Sequence, residues 1–406
     1  MSRRLELILK LTERCNIACT YCYYFENEQK SALTRPPYLT DEVARQFVHR
    51  VHETIREGHH QNVRIIMHGG EPMMYGKARF AALCTDLQRE FLDSVQLCMQ
   101  TNAMLVDDEW VSIFERHKVA VGVSIDGPPS VHDANRVDKK GRATSNRVEA
   151  GIRRLVQAAT EGRISPPGAL IVVQPDTSPT DILRYVTTEL SITQMDFLLP
   201  DATWDSGRDT AWLGPYLVEL FKAWLAGNQE EVSVRILKST MSLLTGGASF
   251  LGGFGPIQAN ALTVLSDGAI NGDDFLRPCG DEFLELDTSV FSASFARACM
   301  LNRFRLETVG ATQIPSACND CPYCKTCCGG QMTHRFSRER LFDNPSVYCQ
   351  GLRTFYDEVC ATLLNSGVAI EQIASVLLAN REDEGVDHQA REEGTLRTAR
   401  EFQIHV

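Results

Sequence analysis

Six times in the first 235 residues, a short apolar or β-branched run gives way to a longer stretch of helical period. The runs are residues 5–11, 63–67, 95–101, 119–125, 169–173 and 194–198, and the helical stretches lie near 41–57, 77–92, 107–117, 145–161, 178–190 and 209–226. Several stretches open at Asp, Thr or Ser, which satisfy the free N–H groups of a first turn. Consecutive βα units joined by right-handed crossovers predict an α/β fold, a partial (β/α)6 TIM-like barrel with the helices outside. Chemistry then belongs at the carboxyl ends of the strands. The polar and glycine motifs do follow the runs: Cys15 onward after the first, HGGEP after the second, QTN at the end of the third and SIDG at the end of the fourth.

A chain of 406 residues, 43% hydrophobic and 23% charged, can bury a core, which excludes a disordered or fibrous class. With 52 acidic against 41 basic side chains its formal charge is −11, so binding to a nucleic-acid backbone is not expected. No run approaches the roughly 18 apolar residues of a membrane span, and charges interrupt the apolar start MSRRLELILKLTERC, so neither a membrane helix nor a signal peptide is expected. A cytoplasmic location follows, where the 14 cysteines stay reduced and their clustering points to metal. The expected division is a barrel over 1–235, a linker over 236–259 containing the glycine-rich TGGASFLGGFGP, a small metal-stapled domain over 260–350 and a helical, then highly charged tail over 351–406.

Cys15, Cys19 and Cys22 form a C-x3-C-x2-C run. Three thiolates on one loop can hold three corners of an iron–sulfur cube and leave one iron open, and a zinc knuckle with a distant fourth ligand is the competing reading. Tyr21 could pack its ring on a planar base or serve ordinary packing. Gly69 and Gly70 let backbone approach closely, and Glu71 beside them can accept from an ammonium group. Gln100 and Asn102 close the third run, His132 to Arg136 (HDANR) follow the fourth, and His68 reads as a structural histidine. A second set, Cys318, Cys321, Cys324, Cys327, Cys328 and Cys349, contains C-x2-C-x5-C and a later cysteine. Cys84, Cys98, Cys299 and Cys360 sit in regular patterns, where buried inert thiols are expected.

C-x3-C-x2-C, GGEP and SIDG at successive strand ends resemble the radical SAM enzymes. The resemblance implies a [4Fe-4S] cluster on Cys15, Cys19 and Cys22 whose open iron chelates S-adenosylmethionine, with Gly69, Gly70 and Glu71 at the methionine ammonium. It also implies that Ser124 and Asp126 reach the ribose or carboxylate of that molecule; Gln100 and Asn102 are expected to meet it or the substrate, Arg136 to orient polar groups near the site, and Tyr21 to be a candidate cofactor contact. The second cysteine set resembles the SPASM domain, which implies one auxiliary [4Fe-4S] cluster on Cys318, Cys321, Cys327 and Cys349. Cysteines for a second auxiliary cluster are replaced by Asp273 and Gln331, so that cluster is expected to be absent, with Cys279 the residue that could restore it. Cys324 and Cys328 are expected to be spare, with Cys328, which adjoins Cys327, the one able to substitute for a ligand. Asp274, after Asp273, falls where sulfatase-maturing relatives place a catalytic aspartate, so Asp273 and Asp274 are the candidate proton acceptors.

From ERCNIACTYCYYF through VSIDGPPSVHDANR to DNPSVYC, the chain looks most like the maturases that form cyclophane rings in ribosomally made peptides. That resemblance implies a precursor-peptide substrate, a carbon–carbon bond between an aromatic ring and a β-carbon, and an electron donor of the flavodoxin or ferredoxin type. The first run begins within a few residues of Met1, so leader recognition is expected to use the barrel, the SPASM domain or another protein. The alternatives are formylglycine formation as in anaerobic sulfatase maturases, thioether cross-linking, and a non-catalytic metal protein.

Overall fold

The computed structural model describes residues 4–25, 31–58, 60, 62–227, 230–249, 251, 254–255 and 261–378. Two compact units result, one of Met1–Gln174, Arg184–Asp201 and Gln258–Thr308, the other of Pro175–Leu183, Ala202–Ile257 and Val309–Val406.

The first unit is built on the strands β1 (Arg4–Thr12), β2 (Asn62–Gly69), β3 (Val95–Thr101), β4 (Ala120–Ser124), β5 (Gly168–Val172) and β6 (Gln194–Leu198), parallel neighbours in that order. These match the six predicted runs to within two residues at each end. Period two sets their faces: Leu5, Leu7, Leu9 and Leu11 are fully buried, while Glu6, Ile8 and Lys10 point the other way, in register with Arg64, Ile66 and His68 of β2. Helices α1 (Asp41–Arg56), α2 (Lys77–Gln88), α3 (Asp108–His117) and α4 (Ser145–Thr160) alternate with them. α1 starts where Thr40 accepts from the Val43 N–H at 3.2 Å, and α3 where Asp107 accepts from the Trp110 N–H at 3.0 Å. The predicted helix 178–190 is a helix over Pro179–Arg184 followed by a wider π turn, Tyr185–Glu189.

The expected boundary at 260 is not where the chain divides. β7 (Ala261–Val264) pairs in parallel with β1, Glu6 facing Ala261 through Leu9 facing Val264, and β8 (Ala269–Asn271) and β9 (Glu285–Ser289) extend the sheet antiparallel beyond it. Residues 261–308 therefore belong to the barrel unit, because Leu262, Val264 and Ile270 supply a buried strand face whose partner lies some 250 residues earlier in sequence. Part of the expected linker is helical, Arg235–Leu244 burying Ile236, Leu237 and Leu243. In the second unit the helix Leu213–Ala226 packs on the helix Cys349–Asn365, with a helix Ile370–Leu377 after it. The charged tail beyond residue 378 lies outside the described residues. No helix among the described residues is long and apolar enough to cross a membrane.

Candidate active site

The cysteine loop leaves β1 and is fixed on two sides. Ile17–Cys19 pairs antiparallel with Arg136–Asp138, Cys19 facing Arg136, and Thr20 donates its backbone N–H to Asn135 O at 3.0 Å. Arg136, the last residue of HDANR, thus opens the docking strand of the loop, and the four residues before it end the short helix Pro129–Asn135. On the other side lie Gly69 and Gly70. A Cβ at 69, where φ is +141°, would stand 2.3 Å from Thr12 O, and one at 70 would stand 2.1 Å from Arg14 O. The close backbone approach expected of this pair is to the chain's own cysteine loop, sealed by Gly70 N–H to Thr12 O and Glu71 N–H to Arg14 O, each 2.9 Å.

Glu71 turns inward with no solvent exposure. Its carboxylate accepts from Met73 N–H (3.0 Å), the Thr101 hydroxyl (2.7 Å) and Asn102 N–H (2.9 Å), tying the GGEP turn to the end of β3. Burial raises its carboxyl to about 7 although all three donors pull the other way. Three protein donors thus fix the carboxylate that the resemblance places at a ligand ammonium. Asn102 reaches back to the loop, donating to Asn16 Oδ1 at 2.7 Å with Cys15 Sγ at 4.0 Å.

Asp126 is also buried and already paired: Arg136 Nε stands 3.1 Å from Oδ1 and the Tyr21 hydroxyl donates to Oδ2 at 2.5 Å. Arg136 extends to Cys19 Sγ at 3.8 Å and lies over the Tyr21 ring at 5.4 Å. Gln100 donates to Ser124 Oγ at 2.8 Å, and both side chains remain partly accessible on the strand face shared with Lys10 and His68. His132 is neutral, burial and then the Arg136 charge lowering it to about 4, and it hydrogen-bonds the Thr144 hydroxyl at 3.1 Å.

A buried ionic knot lies behind the loop. Asp274 accepts from Lys10, from Arg277 at 2.9 Å and from the Tyr23 hydroxyl at 3.0 Å. Lys10 Nζ stands 4.3 Å and the Arg277 guanidinium 4.7 Å from the Tyr24 ring centroid, and the Tyr24 hydroxyl donates to buried Glu13. Burial alone would raise the Asp274 carboxyl, but Lys10 and Arg277 reverse this and hold it well below the usual carboxylate range. Half-buried Asp273 moves the other way, pushed up to about 7 by burial and by the neighbouring Asp274 charge. Of the two predicted proton acceptors, Asp274 is an ion-pair anchor for the two tyrosines after Cys22, and Asp273 is the one with proton affinity near neutrality. His68 accepts the Gly69 N–H at 2.8 Å and is neutral, burial and then Lys10 lowering it to about 3, the structural role expected.

As bare thiols, Cys15 and Cys19 are pushed by burial up to about 12 and about 11, so they become thiolates only by binding metal. With three cysteines on one loop and the Asn102 and Arg136 donors near sulfur, the set fits an iron–sulfur cluster.

In the second unit, Cys318, Cys321, Cys324, Cys327 and Cys349 line one cavity. The four expected ligands are thus brought together, joined by Cys324, which the sequence reading had as spare. Cys328 is not among the lining residues; it takes a left-handed conformation (φ +51°) and directs its thiol at Lys325 O. Cys279 is buried in the first unit at the end of the turn Asp274–Cys279.

Residues 9–183 match the sequence profile of the Radical SAM superfamily. This stretch belongs to the radical SAM superfamily. The chain is 25% identical over 375 residues to the cysteine-type anaerobic sulfatase-maturating enzyme of Clostridium perfringens (strain 13 / Type A), covering 88% of this chain and 97% of the relative. The serine-type enzyme of Bacteroides thetaiotaomicron is 34% identical over 149 residues, 36% of this chain and 35% of that protein. The solved structure of native anSMEcpe with bound AdoMet shares the fold at TM-score 0.75 and 23% identity, covering 89% of this chain and 98% of its own. With AdoMet and the Kp18Cys peptide bound, it gives 0.76 at 22% identity, with the same coverage. The chain is a radical SAM enzyme related to the anaerobic sulfatase maturases.

Sequence reasoning missed the ionic knot behind the loop. Of its members only Asp274 was singled out, and as a proton acceptor, since Lys10, Glu13, Tyr24 and Arg277 carried no motif of their own.

Proposed function

We propose that the protein is a peptide-modifying oxidoreductase that removes two hydrogens from a side chain of a ribosomally made peptide. Its cofactors are S-adenosylmethionine, a [4Fe-4S] cluster on Cys15, Cys19 and Cys22, and one auxiliary [4Fe-4S] cluster drawn from the cysteines of the second unit. The observation that carries the reading is the cysteine loop, locked between GGEP and HDANR, in a chain similar along 88% of its length to a sulfatase maturase. The favoured reaction is therefore oxidation of a cysteine or serine side chain toward formylglycine.

When bound, S-adenosylmethionine and its cluster supply a 5′-deoxyadenosyl radical able to take a hydrogen atom from a substrate carbon. The chain's residues do the rest. Asn102 and Arg136 direct N–H groups at Cys15 and Cys19, the Lys10–Asp274–Arg277 knot holds Tyr23 and Tyr24 and so the far end of the loop, and Gln100 and Ser124 offer polar groups on the inward face. Asp273 takes the proton that leaves the substrate. An electron donor of the flavodoxin or ferredoxin type supplies the electron for each cleavage.

A second reading, cyclophane formation between an aromatic ring and a β-carbon, is favoured by Asp273 and Gln331 standing where the resemblance implies cluster cysteines. Anaerobic incubation with peptides containing serine or cysteine, followed by mass spectrometry and hydrazide trapping, separates the two. Aldehyde formation gives a trapped carbonyl, and a cross-link gives the loss of two hydrogens without one. Turnover of S-adenosylmethionine that no candidate peptide stimulates or consumes would contradict both.

A further inference from the structure

Arg335 has no solvent exposure, and its guanidinium donates only to backbone carbonyls: Phe342 O (3.1 and 2.8 Å), Ala311 O (3.0 Å) and Gln313 O (2.7 Å). No carboxylate among the described residues pairs with it; Asp343, the next residue after Phe342, is half-exposed and pairs with Arg340. A buried cation without a counter-ion is expensive, and carbonyl dipoles offset only part of that cost. The sulfurs its charge reaches are Cys318, Cys327 and Cys328, the first two on the wall of the five-cysteine cavity, and a Cβ on cavity-lining Gly329 would stand 3.5 Å from Arg335 Cδ.

Tyr356 is a second donor with nothing to spend itself on. It lies seven residues, two turns, after Cys349 on the helix Cys349–Asn365, lines the same cavity and is 1% exposed. Its hydroxyl has no nitrogen or oxygen partner among the described residues and faces Cys327 Sγ. An unmatched buried hydroxyl destabilises the fold around it. Both groups are matched once the cavity holds an anionic sulfur cluster.

The radical SAM loop is arranged differently. There the cation near sulfur, Arg136, is neutralised by Asp126 at 3.1 Å. Hydrogen bonds and charge around cluster sulfurs set reduction potential, because reduction adds an electron to an already anionic group.

We infer that Arg335 and Tyr356 raise the reduction potential of the auxiliary cluster, poising it to accept the electron that leaves the substrate. The inference rests on the auxiliary cluster of the proposed function. In the oxidation proposed there, the substrate gives one hydrogen atom to the radical, then one electron to the auxiliary cluster and one proton to a base. Arg335 and Tyr356 are positioning residues for the electron.

The test uses the full chain with Cys15, Cys19 and Cys22 replaced by alanine, so that the auxiliary cluster is observed alone in a redox titration followed by electron paramagnetic resonance. The parent is expected to hold about four irons per chain. At unchanged iron content, Tyr356→Phe and Arg335→Met are expected to move the midpoint to more negative potential, and Arg335→Lys, which keeps the charge, to stay nearer the parent. If Arg335→Met does not load iron, Tyr356→Phe decides alone. Midpoints that do not move in the loaded variants overturn the inference while leaving the proposed function intact. A parent that binds no iron overturns the auxiliary cluster itself.

Discussion

Gly70→Ala tests whether the glycines of GGEP serve the cysteine loop. The added Cβ would meet Arg14 O at 2.1 Å, Arg14 C at 2.4 Å and Cys15 N at 2.9 Å, all backbone atoms that cannot rotate away. Against an ordinary contact of 3.4 Å, the first falls short by about 1.3 Å, so the peptide joining Arg14 to Cys15 has to retreat by that distance. Overpacking of this kind costs about 1–3 kcal/mol, and straining the 2.9 Å bonds of Gly70 and Glu71 adds about 1 kcal/mol each. Displacing Cys15 by about 1 Å moves a cluster ligand, and misplacement on that scale lowers rate on the order of 100-fold. Iron content after anaerobic reconstitution, 5′-deoxyadenosine formation and the thermal midpoint are all expected to fall. Gly168→Ala is the control, since its Cβ would find only Gln194 O at 3.6 Å. A Gly70→Ala protein with parental iron, turnover and midpoint would refute the reasoning.

The ionic knot predicts a split between adjacent aspartates. Asp274→Asn leaves Lys10 and Arg277 buried without their counter-charge and is expected to cost about 3–5 kcal/mol in denaturant unfolding. Asp273→Asn is expected to retain stability and 5′-deoxyadenosine formation but to lose peptide product, measured by mass spectrometry; unaltered product would remove Asp273 from the reaction. Acidification below 6.5 removes stability through His68 and His132, which the folded state keeps neutral down to about 3 and about 4 while the unfolded chain protonates near 6.5, and it adds stability through Glu71 and Asp273, which the folded state protonates near 7. Each histidine contributes a loss of up to about 1.4 kcal/mol per pH unit below 6.5, so from pH 7.5 to 5 the urea midpoint of the parent should drop relative to that of the variant carrying His68→Asn and His132→Asn.

What could be read in advance followed from local chemistry. Alternation along 5–11 and 63–67 gave strands whose inward residues are in register, and cysteine spacing marked both thiol sets, because period and spacing survive in one dimension. Contacts that close over long separations could not be read. β7 reaches β1 across some 250 residues, and its four-residue run is too short to announce a parallel partner. The donors that fix Glu71 and Asp126 were hidden for a related reason: a carboxylate at a strand end shows nothing in sequence of Thr101 and Asn102 in one case, or of Arg136 and Tyr21 in the other. Likewise Asp273 and Asp274 are identical in type and adjacent in sequence, and only the cations packed on Asp274 separate their chemistry.

The most direct measurement is anaerobic reconstitution of the whole protein with iron and sulfide, followed by metal counting and incubation with S-adenosylmethionine and a reductant. The account predicts about eight irons per chain, two four-iron clusters, with 5′-deoxyadenosine formed. About twelve irons would reveal a third cluster and overturn the reading of Asp273 and Gln331, and stoichiometric zinc without S-adenosylmethionine cleavage would contradict the account at its root.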